Sequence, residues 1–242
     1  MTSPIKPPQE IVSTITKIAP KIYDMTVVST SEEGSAALIS RNAKAGQFVM
    51  IRADEEGERI PLTIAQTEAK KRAVRLIFQV VGTSTHKLSL LKPGDQVLNL
   101  AGPLGKPSEV VEGKKVLVIG GGVGIAAILP IAGSLYHAGN DVTVVLGART
   151  RDLLILKDEF KPIAHRLVLC TDDGSEGRKG FVTDAMNDLV AGQVDAIPAS
   201  QALHASRSSK TGPAPSPSPR TVRTTQSGIG PRVLYRSGAR AT

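Results

Sequence analysis

Apolar and polar positions follow two different rhythms along this 242-residue chain. Between residues 10 and 110 the apolar positions come in short runs. They alternate loosely over 11–18 and 23–29, with Pro20 between the two. Further runs occupy 46–52, 73–81 and 96–100, the last after the turn Lys92-Pro93-Gly94-Asp95. Period-two alternation with Pro/Gly punctuation predicts strands, and short strands at this spacing predict an antiparallel barrel of Greek-key type. In this half only 85–91 reads as helical, with Ser84 or Thr85 as the N-cap.

From residue 114 the rhythm changes to strand–helix alternation. Strands are predicted at 116–119, 141–146 and 166–170, and helices at 125–138, 152–160 and 182–189. Such alternation predicts a parallel sheet with helices on its faces. Ligands of such sheets collect at the carboxyl ends of the strands. Three stretches fall at those ends: Gly120-Gly121-Gly122-Val123-Gly124, Gly147-Ala148-Arg149, and Thr171-Asp172-Asp173-Gly174-Ser175. The first is a glycine turn that no side chain obstructs, running into a helix and matching G-x-G-x-x-A from Gly122. Free backbone N–H groups and the positive helix end then favour a pyrophosphate. Tight strand–helix packing demands the same glycines, so the motif alone leaves both readings open. Residues 116–136 carry no charge, but their glycines and Pro130 make them a poor membrane span.

Composition changes this picture in one place. The formal charge is +8, yet no Asp or Glu follows Ile197, and seven of the 30 Lys and Arg lie beyond it. The preceding residues balance 23 basic against 22 acidic side chains. The basicity belongs to a tail rich in Ser, Pro, Thr and Arg, with Pro213, Pro215, Pro217 and Pro219 at alternate positions. Such a composition buries too little apolar surface to offset ordering entropy. Residues 198–242 are therefore expected to be disordered. The organisation expected is a barrel over 1–112, a truncated α/β domain over 113–197, and that tail. The polar start, with three prolines in its first nine residues, lacks a signal peptide's apolar region, and the cytoplasm is the expected location. The one cysteine, Cys170, excludes an internal disulfide; on an apolar strand it reads as core or as a redox thiol. The four histidines show no ligand spacing, so no metal site is expected.

The motifs, in order, resemble ferredoxin–NADP reductase-like flavoproteins. The branch most similar holds the FAD/NAD-binding subunit of sulfide dehydrogenase, which is also the small subunit of NADH-dependent ferredoxin:NADP oxidoreductase, and the electron-transfer subunit of dihydroorotate dehydrogenase. Arg59, Pro61, Leu62, Thr63 and Ile64 resemble the flavin-binding strand. Val80, Gly82, Thr83, Ser84 and Thr85 resemble the flavin pyrophosphate loop, and Gly102, Pro103, Leu104 and Gly105 the domain-junction turn. The glycine turn, Gly147-Ala148-Arg149 and Asp172-Asp173-Gly174 resemble the nicotinamide domain. The resemblance implies an FAD-binding barrel followed by an NAD(P)-binding domain, with Thr63 at flavin N5 as the catalytic position and Arg59 pairing with a flavin phosphate. Arg59 lies four residues before Thr63, whereas the wider superfamily spaces this arginine by three. Arg149 is implied as an adenosine-side reader that leaves NAD and NADP open.

The implied function is an oxidoreductase subunit passing electrons between NAD(P)H and FAD, then to a [2Fe–2S] cluster and a larger flavin-containing partner subunit. The resemblance covers about residues 10–195. The strand beginning at 194–197 then gives way to low complexity, so the family's cluster ligands are absent. The abrupt switch reads as an altered reading frame, a truncated gene or an evolved tail. The alternatives are a dihydroorotate dehydrogenase-type subunit, a non-functional remnant, and a nucleic-acid binder acting through the tail.

Overall fold

The computed structural model describes residues 8–191 and 232–236. Two compact units divide the chain, the first built mainly from residues before Val110.

In the first unit seven strands form one antiparallel sheet: β1 (Glu10–Ala19), β2 (Ile22–Ser29), β3 (Phe48–Arg52), β4 (Ile60–Glu68), β5 (Ala73–Gln79), β6 (Gln96–Val97) and β7 (Asn99–Leu104). Their spatial order is β6-β1-β2-β5-β4-β3-β7. The edge strands β6 and β7 are consecutive in sequence, joined by Leu98, whose N–H donates to the Ala53 carbonyl (3.2 Å). A sheet whose two edges meet at one residue curls into a nearly closed barrel. The consecutive strands β3, β4 and β5 with β2 beside β5 make the Greek key. Val12, Met25, Ile51, Leu76, Phe78 and Leu100 fill the interior.

Two short helices complete this unit. Helix α2 (Thr83–Leu90) confirms the predicted helix but not its cap. Gly82 takes the N-cap position, and Thr85 sits at N3. The Thr85 hydroxyl accepts from the N–H of Val81 (3.0 Å) and of Gly82 (3.1 Å). Helix α1 (Ser35–Asn42) corrects the expectation of a single helix in this half. Its own N-cap, Gly34, has no side chain, so nothing local announces it. The cap comes instead from Glu10 on β1, only 7% exposed, whose two carboxylate oxygens accept from the N–H of Ser35 (2.7 Å) and Ala36 (3.0 Å). Glu10→Ala is expected to cost about 2 kcal/mol by removing the cap from two N–H donors, the buried Ala36 and the part-buried Ser35. Thermal unfolding should show this as a loss of about 4–8 °C, with the exposed Glu33→Ala unchanged.

In the second unit β8 (Lys115–Gly121), β9 (Asp141–Ala148), β10 (Arg166–Thr171) and the two-residue β11 (Arg178–Lys179) run parallel in the order β11-β10-β9-β8. Helix α3 (Gly124–His137) follows β8 and α5 (Val182–Ala191) follows β11. Asn140 ties this frame together: its amide oxygen accepts from Lys114 N–H (2.9 Å), and its NH2 donates to the carbonyls of Val111 (2.6 Å) and Leu135 (2.7 Å). The single helix expected over 152–160 is broken. Arg151–Leu153 forms a 3-10 turn, Leu156 adopts a left-handed conformation (φ 57°), and only Lys157–Phe160 (α4) is α-helical. Among the described residues no helix is long and apolar enough to cross a membrane.

The tail departs from expectation. Arg232–Arg236 forms β12, which pairs antiparallel with β8, Leu234 opposite Leu117. The sheet therefore carries a fifth, antiparallel strand where an incomplete edge was expected. The run Val233-Leu234-Tyr235 has strong strand propensity, lies beyond the alternating prolines, and supplies partners to an edge that would otherwise be open. The remainder of 198–242 and the strand expected at 194–197 lie outside the described residues.

Candidate functional site

Barrel geometry gathers the first group of candidates at one end. Strands β4 and β5 run antiparallel with Ile64 opposite Leu76, so the start of β4 and the end of β5 lie together. Arg59, immediately before β4, is exposed and has no side-chain partner among the described residues. At the same end, Val80 anchors the exit from β5 by donating to the Lys21 carbonyl (2.8 Å), and Gly82 opens α2. A Cβ on Gly82 would meet nothing within 4 Å, so the protein itself leaves the space above it open. The first N–H groups of a helix have no intrahelical acceptor, and α2 adds the Thr83 and Ser84 hydroxyls. The Thr85 hydroxyl is spent on closing the turn. Free N–H groups and hydroxyls at a helix start are chemistry that suits an anion.

Thr63 lies further along β4, opposite Phe48 on β3, with Leu62 opposite Val49 and the exposed Pro61 opposite Met50. Buried Ile64 donates its N–H to the Gln47 carbonyl (3.1 Å). Phe48 is also the register partner of Leu104 on β7. The Gly102, Pro103 and Leu104 stretch belongs to β7, not to a turn. Its glycines answer to local packing: a Cβ on Gly105 would lie 2.9 Å from the Phe48 ring, and one on Gly102 3.0 Å from Val49. Gln47 fixes the neighbourhood by donating its amide NH2 to the Gly105 carbonyl (2.8 Å). The Thr63 hydroxyl has no protein partner among the described residues, which suits a ligand acceptor or donor.

The second group assembles at the carboxyl edge of the parallel sheet. Gly121 pairs with Gly147, and Gly147 with Cys170, so the three strand ends are level. Gly120 and Gly121 continue β8, and Gly147 and Ala148 continue β9. The turn is thus confined to Gly122 and Val123, and the helix begins at Gly124. Gly122 N–H donates to the Gly147 carbonyl (2.9 Å). Gly122 is left-handed (φ +56°), and a Cβ on it or on Gly124 would meet nothing within 4 Å. At Gly147 the missing side chain is used differently: a Cβ would lie 2.1 Å from Val182 of α5. Arg149 just beyond β9 is exposed and without a side-chain partner among the described residues.

Asp172 and Asp173 share this edge, their N–H groups donating to the carbonyls of Ala148 (3.1 Å) and Arg149 (3.3 Å). The Asp173 carboxylate accepts from both the hydroxyl (2.6 Å) and the N–H (2.9 Å) of Ser175. Those bonds hold its carboxyl below the usual carboxylate range, so Asp173 shapes the turn through Gly174 as an ion. Lys157 braces the loop by donating to Glu176 (2.7 Å). Cys170 is fully buried, and burial pushes its thiol up to about 11. At pH 8 about one thiol in a thousand is ionised at such a value. A chromogenic thiol reagent should therefore label the native chain only as fast as it unfolds, and label it at once in denaturant. The unfolded thiol ionises first, so this group withdraws stability as pH rises through 9 toward 11.

One residue of this edge escaped the sequence reading. Phe181, immediately before α5, is 62% exposed. Its backbone is pinned: Phe181 N–H donates to the Asp184 carboxylate (3.1 Å), and Asp184 N–H to the Phe181 carbonyl (3.1 Å).

Comparison with known proteins places this geometry. No protein-family profile matches the chain. The dihydroorotate dehydrogenase B (NAD(+)) electron transfer subunit homolog of Thermotoga maritima is 52% identical over 180 residues, covering 74% of this chain and 61% of the relative. The corresponding subunit of Streptococcus pneumoniae serotype 4 is 33% identical over 186 residues, covering 75% and 70%. A solved structure of an NADH-dependent reduced ferredoxin-NADP oxidoreductase superposes with a TM-score of 0.68 at 49% identity, covering 75% of this chain and 63% of that one. The chain spans about three fifths of the length of the T. maritima relative (61%). Barrel, level strand ends and these identities agree: the chain belongs to the family of dihydroorotate dehydrogenase B electron-transfer subunits, on the ferredoxin reductase-like fold.

Proposed function

We propose that this chain is the subunit that carries electrons between a nicotinamide dinucleotide and FAD, the barrel holding the flavin and the parallel sheet the dinucleotide. The observation that carries the reading is the open glycine turn at Gly122 and Gly124, level with the ends of β9 and β10 and leading into the N-terminus of α3, where free backbone N–H groups suit a pyrophosphate. A second open helix start at Gly82, with unpartnered Arg59 beside it, suits the flavin pyrophosphate. Bound FAD would supply the hydride and single-electron chemistry. The chain's own residues orient it: Thr63 offers its hydroxyl to the ring, Arg59 and α2 hold the phosphates, and Arg149 holds the adenosine side. The partner is a larger oxidoreductase subunit. The 52% identity to the T. maritima relative favours a dihydroorotate dehydrogenase-type partner, and the 49% identity to the ferredoxin-NADP oxidoreductase favours a bifurcating one. The sequence holds a single cysteine, buried in β10, and so does not by itself furnish the four thiolates of a [2Fe–2S] cluster. Reconstituted protein should retain FAD through desalting and bleach anaerobically with NADH or NADPH, and Arg149→Ala should weaken that response. Absence of retained flavin would refute the proposal.

A further inference from the structure

The loop of residues 53–59, which leads from β3 into β4, is held at both sides. From β3, Arg52 Nε donates to the Gly57 carbonyl (2.7 Å) and its guanidinium pairs with Glu55 (3.5 Å). From α2, Lys87 Nζ reaches Asp54 (2.9 Å) and Glu56 (3.4 Å). The Lys87 stem is largely covered, with 24% of its side chain exposed. Its hydrogen bond to Asp54 lowers that carboxyl's pKa and raises the lysine's. Asp54 and Glu56 are the exposed members of these pairs, so the pairs add little to global stability, while they fix where the 53–59 loop lies against α2. Arg59 leaves this loop three residues after Glu56, and Thr83 opens α2 about 6 Å along the axis from Lys87. Lys87 thus ties the loop that leads to Arg59 to the helix that opens at Thr83.

We propose that Lys87 is a positioning residue of the flavin site, clamping the 53–59 loop to α2 so that Arg59 and the first turn of α2 converge on one pyrophosphate. The inference rests on the flavin reading above and adds a residue that touches no cofactor itself. Lysine and not Arg59 is the clamp because Arg59 has no protein partner, which leaves its guanidinium for a bidentate phosphate contact.

A double-mutant cycle on the full chain separates positioning from general support. FAD dissociation constants are measured by flavin fluorescence for wild type, K87M, R59A and K87M/R59A. K87M and R59A are each expected to weaken FAD about tenfold, and the double variant also about tenfold, because Lys87 works through Arg59. K87R should restore most of the affinity. D54N/E56Q, which breaks the clamp from the other side, should reproduce K87M and stands in for it if K87M fails to fold. Additive losses near a hundredfold, or unchanged affinity in both clamp variants, would overturn the inference and leave the flavin reading standing. Wild-type protein that binds no FAD would overturn the flavin reading itself.

Discussion

Gly124→Val is expected to abolish flavin reduction by NADH and NADPH while leaving the fold and the FAD content unchanged. Gly124 is the first residue of α3, its backbone lies outside the left-handed region, and a Cβ there would meet nothing within 4 Å. Valine is a better helix residue than glycine by a few tenths of a kcal/mol, so no folding penalty arises. The new isopropyl group instead fills the space a pyrophosphate needs above the helix N-terminus, and closes off charge-assisted bonds from the free N–H groups. Losing two such bonds corresponds to at least about a hundredfold in kcat/KM for either nucleotide. Gly122→Val is the contrasting variant. Its φ of +56° is costly for a β-branched side chain, by about 1–2 kcal/mol or more, so stability and nucleotide response should fall together. Anaerobic stopped-flow reduction and thermal unfolding read the two effects separately. Wild-type reduction by Gly124→Val would place the dinucleotide elsewhere.

The features legible in the sequence were those written in neighbouring residues. Alternation gave β1, β2, β3, β5 and β6, and the apolar run before Gly120 gave β8, whereas β4 was legible only through the family resemblance and the end of β7 was read as a turn. What stayed hidden depended on partners distant in sequence. Helix α1 lacks a local cap because Glu10 supplies it from 25 residues upstream. Thr85 looks like an N-cap from its spacing, yet its hydroxyl reaches back to donors at Val81 and Gly82. The break inside 152–160 follows from Leu156 in a left-handed conformation, which no apolar pattern encodes. Strand β12 is invisible from composition because a proline- and serine-rich tract surrounds five residues that find an edge more than a hundred positions away.

Site residues divide in the same manner. Glycines read as ligand-binding serve two purposes once neighbours are known: Gly122 and Gly124 face open space, whereas Gly102, Gly105 and Gly147 make room for Val49, Phe48 and Val182. Arg59 and Arg149 are unpartnered among the described residues, which spacing alone could not tell. Lys87 carried no motif at all, since its meaning lies in two carboxylates 31 and 33 residues earlier in the chain.

Phe181 is expected to stack on a base of the bound dinucleotide, and its replacement by leucine to weaken nucleotide binding about tenfold. Aromatic side chains make up only 3% of this sequence. Phe78 and Phe160 are buried, Tyr23 stacks on Phe78, and Phe48 packs under Gly105. Phe181 is exposed, on a backbone fixed by Asp184. Its neighbour Val182 lies over Gly147, so the ring stands at the edge that carries Arg149 and the Gly122 turn. A fixed, exposed ring gives a planar ligand a stacking surface at little entropic cost, worth about 1–2 kcal/mol per base. Because the chain contains no tryptophan, Phe181→Trp creates a single indole reporter at the proposed contact. Addition of NADH, and of ADP as the adenosine half alone, should quench that indole in a saturable manner. Quenching by NADH without any by ADP would assign the ring to the nicotinamide half. Unchanged indole emission in a variant whose flavin NADH still reduces would show that Phe181 takes no part in holding the nucleotide.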